Sequence, residues 1–411
     1  MNGLKADSWS WPQYAADEQA AALRVLQSGK VNYWTGTEAR EFEKEYAEQI
    51  GIPYAIAVAN GTVSLELALR VLGIGSGDEV VTSPRTFIAS ASSAVQVGAV
   101  PVFADVDRDS QNITAESIER VLTRRTRAIV PVHLAGWPCE MDRIIELAAS
   151  RKLFVIEDCA QANGAMYQGR PVGTFGHAGA FSFCQDKIIT TGGEGGLLVT
   201  NQEAVWRSAW AYKDHGKSFD AVYRREHPPG YRWLHESFGT NWRMTEIQAA
   251  IGRIQLRKLP EWNQMRARNA SLWMQGLKDL AALRIPVVPN DIRHAWYKFY
   301  CFVRPEALRA GWTRDRIMAE INSQGVRVFS GSCSEVYLEK AFSGSLSVPV
   351  PRLPVARELG ETSLMFLVHP TLSEDDIQAA VRIVRDCVKR ATLSVQELLP
   401  KATSPGSHLV D

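Results

Sequence analysis

Between Tyr54 and Ile156, short runs rich in valine and isoleucine alternate with stretches whose apolar residues recur every three or four positions. Tyr54–Val58, Glu79–Ser83, Val100–Ala104, Ala128–Val132 and Leu153–Ile156 read as strands. Val63–Leu72, Phe87–Val97, Ala115–Leu122 and Met141–Ser150 read as the helices between them. Runs this apolar have no polar face to turn to water, so helices must cover both faces of the sheet they form. Joined helix by helix, their strands are mainly parallel, and the class is α/β. In such sheets ligands collect beyond the carboxyl ends of the strands.

The pattern extends at both ends. Helical spacing at Ala16–Leu26 and Glu38–Ile50 precedes the first strand, with Gly29 and Gly51 placed to stop each helix. Two further strands, Ala180–Phe183 and Leu197–Thr200, flank a polar, glycine-rich segment. Residues 204–239, rich in Trp, Tyr, His and Arg, have poor periodicity and read as a long excursion over the surface or into a partner subunit. Helical spacing returns at Thr245–Leu259, is interrupted by Pro260 and continues toward Leu280. A strand at Tyr297–Val303, a helix at Thr313–Ser323, a strand near Val326–Phe329 and a long helix at Glu374–Leu393 suggest a second, smaller unit. The expected division is 1–290 for a large domain with N-terminal helices, 291–395 for a small C-terminal α+β domain and 396–411 for a flexible tail.

Composition excludes several roles. The 411 residues carry 46 basic and 45 acidic side chains, a net charge of +1, which gives no electrostatic footprint for nucleic acid or an anionic membrane. No apolar run approaches the ~18 residues needed to span a bilayer. Met1–Trp9 has no apolar core of a secretory signal. Six cysteines lie scattered without C-x-x-C spacing, which argues against a zinc site or a disulfide framework. A cytoplasmic protein is expected, with no metal.

The chemistry gathers at strand ends. Lys187 follows the strand Ala180–Phe183 and precedes Gly192-Gly-Glu-Gly-Gly196, the setting of a Schiff-base lysine. Glu157-Asp158 ends another strand, and since successive strand residues point oppositely, only one of the two acids faces a given site. Asn60-Gly61-Thr62 joins a strand to a helix, where free backbone N–H groups and the Thr62 hydroxyl make a phosphate cradle. Phe87, just past a strand end, offers a ring for stacking on a flat cofactor. Gly239-Thr-Asn241-Trp-Arg243-Met-Thr-Glu246 opens a helix after the long excursion. A lysine, a buried-strand acid, an anion cradle and an aromatic plate together suit pyridoxal 5′-phosphate.

These motifs, in this order, resemble the DegT/DnrJ/EryC1/StrS group of pyridoxal-phosphate sugar aminotransferases, over roughly Gly29 to Val384. The resemblance rests on Asn60-Gly-Thr-Val-Ser-Leu-Glu-Leu-Ala-Leu69, Thr86-Phe-Ile-Ala89, Pro131-Val-His-Leu-Ala-Gly136, Glu157-Asp-Cys-Ala-Gln161, Phe181-Ser-Phe183 with Lys187, Gly193-Glu-Gly-Gly196 and Asn241-Trp-Arg-Met244. It implies the aspartate-aminotransferase-like fold (type I) and a Schiff base between Lys187 and the cofactor. It further implies that Asp158 pairs with the pyridine nitrogen and that Gln161 contacts the ring hydroxyl. Gly61, Thr62, the Val63 backbone and Ser182 would hold the phosphate, and Phe87 would stack on the ring. Asn241 would reach the phosphate of the neighbouring subunit's cofactor, so the family implies an obligate homodimer with composite sites. Many relatives carry His or Tyr and then Pro-Thr before the lysine, whereas this chain has Cys184-Gln185-Asp186.

The resemblance further implies an amino donor, glutamate, and a keto or aldehyde sugar as acceptor, nucleotide-linked in the first reading. The amination would serve a surface polysaccharide or a secondary metabolite. The alternatives are a free sugar acid bearing an aldehyde, such as an eight-carbon 3-deoxy acid, and a regulatory homologue without turnover. Arg243 is a candidate for the donor carboxylate, or else an ion-pair partner of Glu246. His133, His294 and Arg327 are candidates for acceptor contacts. The segments Glu226–Trp233 and Gly331–Glu335 are expected to shape acceptor choice. Gly73-x-Gly75-x-Gly77 lies after a helix and before a strand, the reverse of a dinucleotide-binding order, and reads as a turn.

Overall fold

The computed structural model describes residues 9–344 and 348–393. The expected tail, 396–411, lies outside the described residues.

Seven strands form the central sheet: β1 (Tyr54–Val58), β2 (Glu79–Thr82), β3 (Val100–Phe103), β4 (Thr126–Val130), β5 (Phe154–Asp158), β6 (Ala178–Ser182) and β7 (Gly196–Thr200). Their spatial order is β1-β7-β6-β5-β4-β2-β3. β7 runs antiparallel to both of its neighbours, and the remaining pairings are parallel. The mainly parallel α/β sheet expected from the alternation is therefore present, with one reversed strand inserted. Helices that connect the strands bury their apolar faces on it. Leu65, Leu67, Ala68 and Leu69 of the helix Gly61–Val71 pack with Val58, Val80, Val130 and Ile156 on one side. Ile144 and Ala148 of Met141–Arg151 pack with Val81, Ile129 and Val155 on the other. Gly29 and Gly51 end the two N-terminal helices with φ of 67° and 70°, the left-handed conformation that glycine adopts without strain.

The register of β7 positions the site. Gly196 pairs with Val58 of β1 on one side and Ser182 of β6 on the other, bringing the ends of β1 and β6 together across one residue. The space is tight enough that a Cβ at Gly196 would lie 2.2 Å from the Asn60 carbonyl oxygen. Only glycine fits there.

A second, four-stranded antiparallel sheet takes the order Leu283–Arg284, Phe299–Val303, Ser363–Phe366, Val328–Phe329. Its core joins Phe299, Leu364 and Phe366 to Ile317, Ile321 and Val384 from the helices Arg314–Ser323 and Glu374–Ala391. Trp273 and Leu277 belong to the same core, yet they lie on the helix Glu246–Leu277. That helix runs unbroken through Pro260 for 32 residues, about 48 Å. Pro260 removes one helical N–H donor. Burial on both sides, by Leu256 and Leu259 in the first core and by Ala270, Trp273 and Leu277 in the second, keeps the helix continuous.

The excursion over 204–239 is more ordered than its periodicity suggests. Helices occupy Glu203–Tyr212 and Phe219–Tyr223, where Trp206 and Trp210 pack edge-on against Phe219 and Trp206 also stacks on Tyr54. Aromatic contacts, rather than an aliphatic stripe, bury these helices, which is why helical spacing was hard to see. Beyond them Tyr231, Trp233 and Phe238 stand exposed. Among the described residues no helix is long and apolar enough to cross a membrane.

Candidate active site

A cavity of about 1180 Å³ opens at the carboxyl ends of the parallel strands, between the central sheet and the second sheet. Its lining includes Asn60, Gly61, Thr62, Val63, Phe87, Asp158, Gln161, Ser182 and Lys187. Residues as far apart in sequence as 60 and 187 meet there because six strands point their ends at one edge.

The loop after β1 presents the amino end of the helix Gly61–Val71. Its N-cap is Asn60, whose side chain accepts the Val63 N–H at 3.0 Å. The Val63 N–H, expected at an anion, is taken by this cap. The N–H groups of Gly61 and Thr62, ahead of any intrahelical acceptor, remain for a ligand. Gly61 lies so close to β6 that an added Cβ would sit 2.6 Å from the Ser182 Cβ, so the cradle and the Ser182 hydroxyl form one surface.

Alternation along β5 separates its two acids. Glu157 is fully buried: Oε1 accepts from Phe175 N (2.7 Å) and Gly176 N (2.8 Å), and Oε2 from Gly173 N (2.7 Å) and His133 Nε2 (3.1 Å). Asp158 faces the cavity. Its Oδ2 accepts from the Ser90 hydroxyl at 2.7 Å and its Oδ1 from Ala160 N at 3.1 Å, with Thr86 bonded to Ser90 behind it. Gln161 Oε1 accepts from Ala135 N at 2.8 Å, which directs the amide nitrogen of Gln161 the other way. Phe87 is 67 % exposed and presents an aromatic face at the cavity.

Lys187 Nζ lies 5.1 Å from the centroid of the Tyr297 ring. The Lys187 carbonyl accepts from Trp11 Nε1 at 2.8 Å, which ties the lysine's backbone to the amino-terminal segment. The unusual Asp186 before it accepts from the Tyr297 hydroxyl. Burial acts to raise the pKa of Asp186, but Lys187, the Tyr297 hydrogen bond and Lys298 outweigh it and hold the carboxyl below its ordinary value.

Five expected residues are not brought to this cavity. His133 is buried, with Nδ1 accepting from Cys139 N at 3.0 Å, so its Nε2 carries the proton donated to Glu157. His294 is buried against Trp296, with ring centroids 3.9 Å apart, and burial pushes its pKa down to about 3. Arg327 is exposed and reaches the Trp9 carbonyl. None of these three expected acceptor contacts lines the cavity of this chain. Arg243 pairs with Asp214 (2.6 Å) rather than with Glu246, whose carboxylate accepts from Glu38 N and Ala39 N at the start of the second helix. Asn241 is exposed, outside the cavity of its own chain.

Sequence reasoning missed Ser90, Tyr297 and Lys298. Ser90 carries no local signal. Lys298 does: it is the lone charge in the apolar run Ala295–Val303. Of the two segments expected to shape acceptor choice, Gly331, Ser332 and Cys333 line the cavity, whereas Glu226–Trp233 does not. Gly331 has a φ of 90°, and a Cβ there would meet the Tyr300 ring at 2.3 Å.

Known proteins resemble this chain in sequence and fold. An aminotransferase from Psychrobacter cryohalolentis, solved by X-ray methods, superimposes with a TM-score of 0.92 at 56% identity, covering 93% of this chain and 99% of that one. The spore coat polysaccharide biosynthesis protein SpsC of Bacillus subtilis is 34% identical over 93% of this chain and 97% of its own length. The GDP-perosamine synthase of Escherichia coli O157:H7 is 35% identical over 83% of this chain and 88% of its own. The DegT/DnrJ/EryC1/StrS aminotransferase family matches residues 12–385. The chain therefore belongs to that family and is an aminotransferase, similar to proteins named as transaminases of nucleotide sugars.

Proposed function

We propose that this enzyme uses pyridoxal 5′-phosphate to move an amino group from glutamate to a keto or aldehyde sugar, nucleotide-linked, for amino-sugar or surface polysaccharide biosynthesis. The observation that carries the reading is the meeting of Lys187, Asp158 and the Gly61–Thr62 amino end in one cavity. When bound, the cofactor supplies an aldehyde that condenses with amines and a ring that draws off the electrons of a broken Cα–H bond.

The residues present fit that group. Gly61 N–H, Thr62 and Ser182 offer donors to a phosphate at a helix amino end, where the helix dipole favours an anion. Asp158, oriented by Ser90 and Ala160, presents a carboxylate to a ring nitrogen. The Gln161 amide nitrogen suits a ring oxygen, and Phe87 a ring face. Lys187 would supply the amine that holds the cofactor's aldehyde and a base able to move a proton at the Cα of a bound donor. Asn241, exposed on its own chain, would complete the partner's phosphate site in a homodimer with composite cavities. The sugar acceptor draws its support from the named functions of the relatives.

The test is spectroscopic. The enzyme loaded with cofactor should be yellow and lose that colour on adding glutamate. A Lys187→Ala protein should still take up cofactor but fail to transaminate. Full activity in that variant would defeat the assignment. Restoring the colour with candidate keto sugars, with and without a nucleotide, would identify the acceptor.

A further inference from the structure

Charge is unevenly spread around the cavity. Its wall carries four carboxylates, Asp158, Asp186, Glu194 and Glu339, and two amines, Lys187 and Lys298. Among the described residues no arginine or histidine lines it. In the reading above, Lys187 is committed to the cofactor's aldehyde. Asp158 is held by Ser90 and Ala160, and Asp186 by the Tyr297 hydroxyl. That leaves Lys298 as the cation an incoming anion can meet.

Lys298 leads into the strand Phe299–Val303, and its Nζ lies 4.7 Å from the centroid of the Tyr297 ring, beside which Lys187 Nζ also sits. Among the described residues it makes no salt bridge and donates no hydrogen bond; the aromatic ring is its contact. Burial pushes its pKa down to about 8, with Arg266 and Lys187 adding to that effect and Asp186 opposing it. A half-buried ammonium that has given up water without gaining a salt bridge is strengthened by a bound carboxylate, since the ion pair replaces the lost hydration. Glutamate and its product 2-oxoglutarate each bring two carboxylates into this cavity, and some sugar acceptors bring one.

We propose that Lys298 is the carboxylate subsite of the cavity, binding a substrate carboxylate opposite Lys187 and so selecting acidic substrates. The inference rests on the transaminase reading. No bond is made or broken at Lys298; it is a specificity-determining residue. Its chemistry is the same whether the carboxylate belongs to the amino donor or to the acceptor.

The experiment uses the cofactor-loaded enzyme with Lys298→Met, Lys298→Gln and Lys298→Arg. Titrating 2-oxoglutarate by calorimetry gives Kd, absorbance gives cofactor content, and each half-reaction gives kcat and KM. The Met and Gln forms should weaken carboxylate binding about tenfold or more. The Arg form should recover most of it, with cofactor content and kcat near wild type. A loss confined to glutamate and 2-oxoglutarate places the donor's carboxylate at Lys298. A loss confined to an acidic sugar, with a neutral sugar unaffected, places the acceptor's there. Unchanged Kd and KM for every carboxylate, in an enzyme that turns over, overturns the subsite. A wild-type enzyme that does not transaminate overturns the underlying reading instead. Should the Met form not fold, the Gln form, which keeps a polar end at the ring, carries the test.

Discussion

Neighbouring acids on one strand offer a sharp test of how this site is built. Replacing Glu157 by Gln keeps the shape and removes the charge. Each carboxylate oxygen of Glu157 accepts two N–H groups, from Phe175 and Gly176 or from Gly173 and His133. Whichever oxygen becomes NH₂, two donors then face a donor. Bonds to a charged acceptor contribute about 1.5–3 kcal/mol each, so losing two costs roughly 3–6 kcal/mol. That is a large share of a total stability of roughly 5–15 kcal/mol, and it should lower the melting temperature on the order of 5–10 °C. Asp158→Asn behaves differently. Its remaining oxygen can keep the Ala160 N–H, and the new NH₂ can donate to Ser90, whose hydroxyl turns toward Thr86. Stability should change by less than about 1.5 kcal/mol. Turnover should fall about a hundredfold or more, because a neutral amide no longer supplies charge at the ring nitrogen. Denaturant unfolding and half-reaction rates measured on both variants give the comparison. Equal destabilisation by the two substitutions, or an Asp158→Asn enzyme at wild-type turnover, would refute the division of labour along the strand.

Two further outcomes follow from the geometry. Gly61→Ala puts a Cβ 2.6 Å from that of Ser182 and must push the cradle off the strand. At about 1–3 kcal/mol for such overpacking, affinity for pyridoxal phosphate should drop about tenfold, read by absorbance titration; an unchanged Kd would remove Gly61 from the cradle. His294 and His369 are both buried, and burial, first of all causes, pushes the pKa of each down to about 3. The unfolded chain binds their protons below its ordinary pKa near 6.5 while the folded chain does not, so stability is full above that pH and is lost as pH falls from 6.5 toward 3. By pH 5 each should cost roughly 2 kcal/mol. Denaturant midpoints at pH 7.5 and 5 should show a smaller difference in His294→Asn than in wild type, and equal differences would count against this assignment.

Local sequence determined the periodic elements. β1 and the helix Glu38–Ile50 run over the residues expected, because an apolar pentad and a glycine stop are properties of neighbouring residues. The positions around the cavity were legible for the same reason: strand ends are visible in sequence, and parallel strands share one edge. Three matters were decided only by tertiary packing. Pro260 sits inside a helix because two cores hold its flanks. Arg243 chose Asp214 over the nearer Glu246, which went to cap another helix. Glu157 and Asp158 are adjacent in sequence, yet the turn at 173–176 consumes one and Ser90 orients the other. Long-range partners of this kind leave no mark on local periodicity. The chain could announce a lysine, an acid and an anion cradle, but the free amine of Lys298, facing them from the second sheet, belongs to the folded structure.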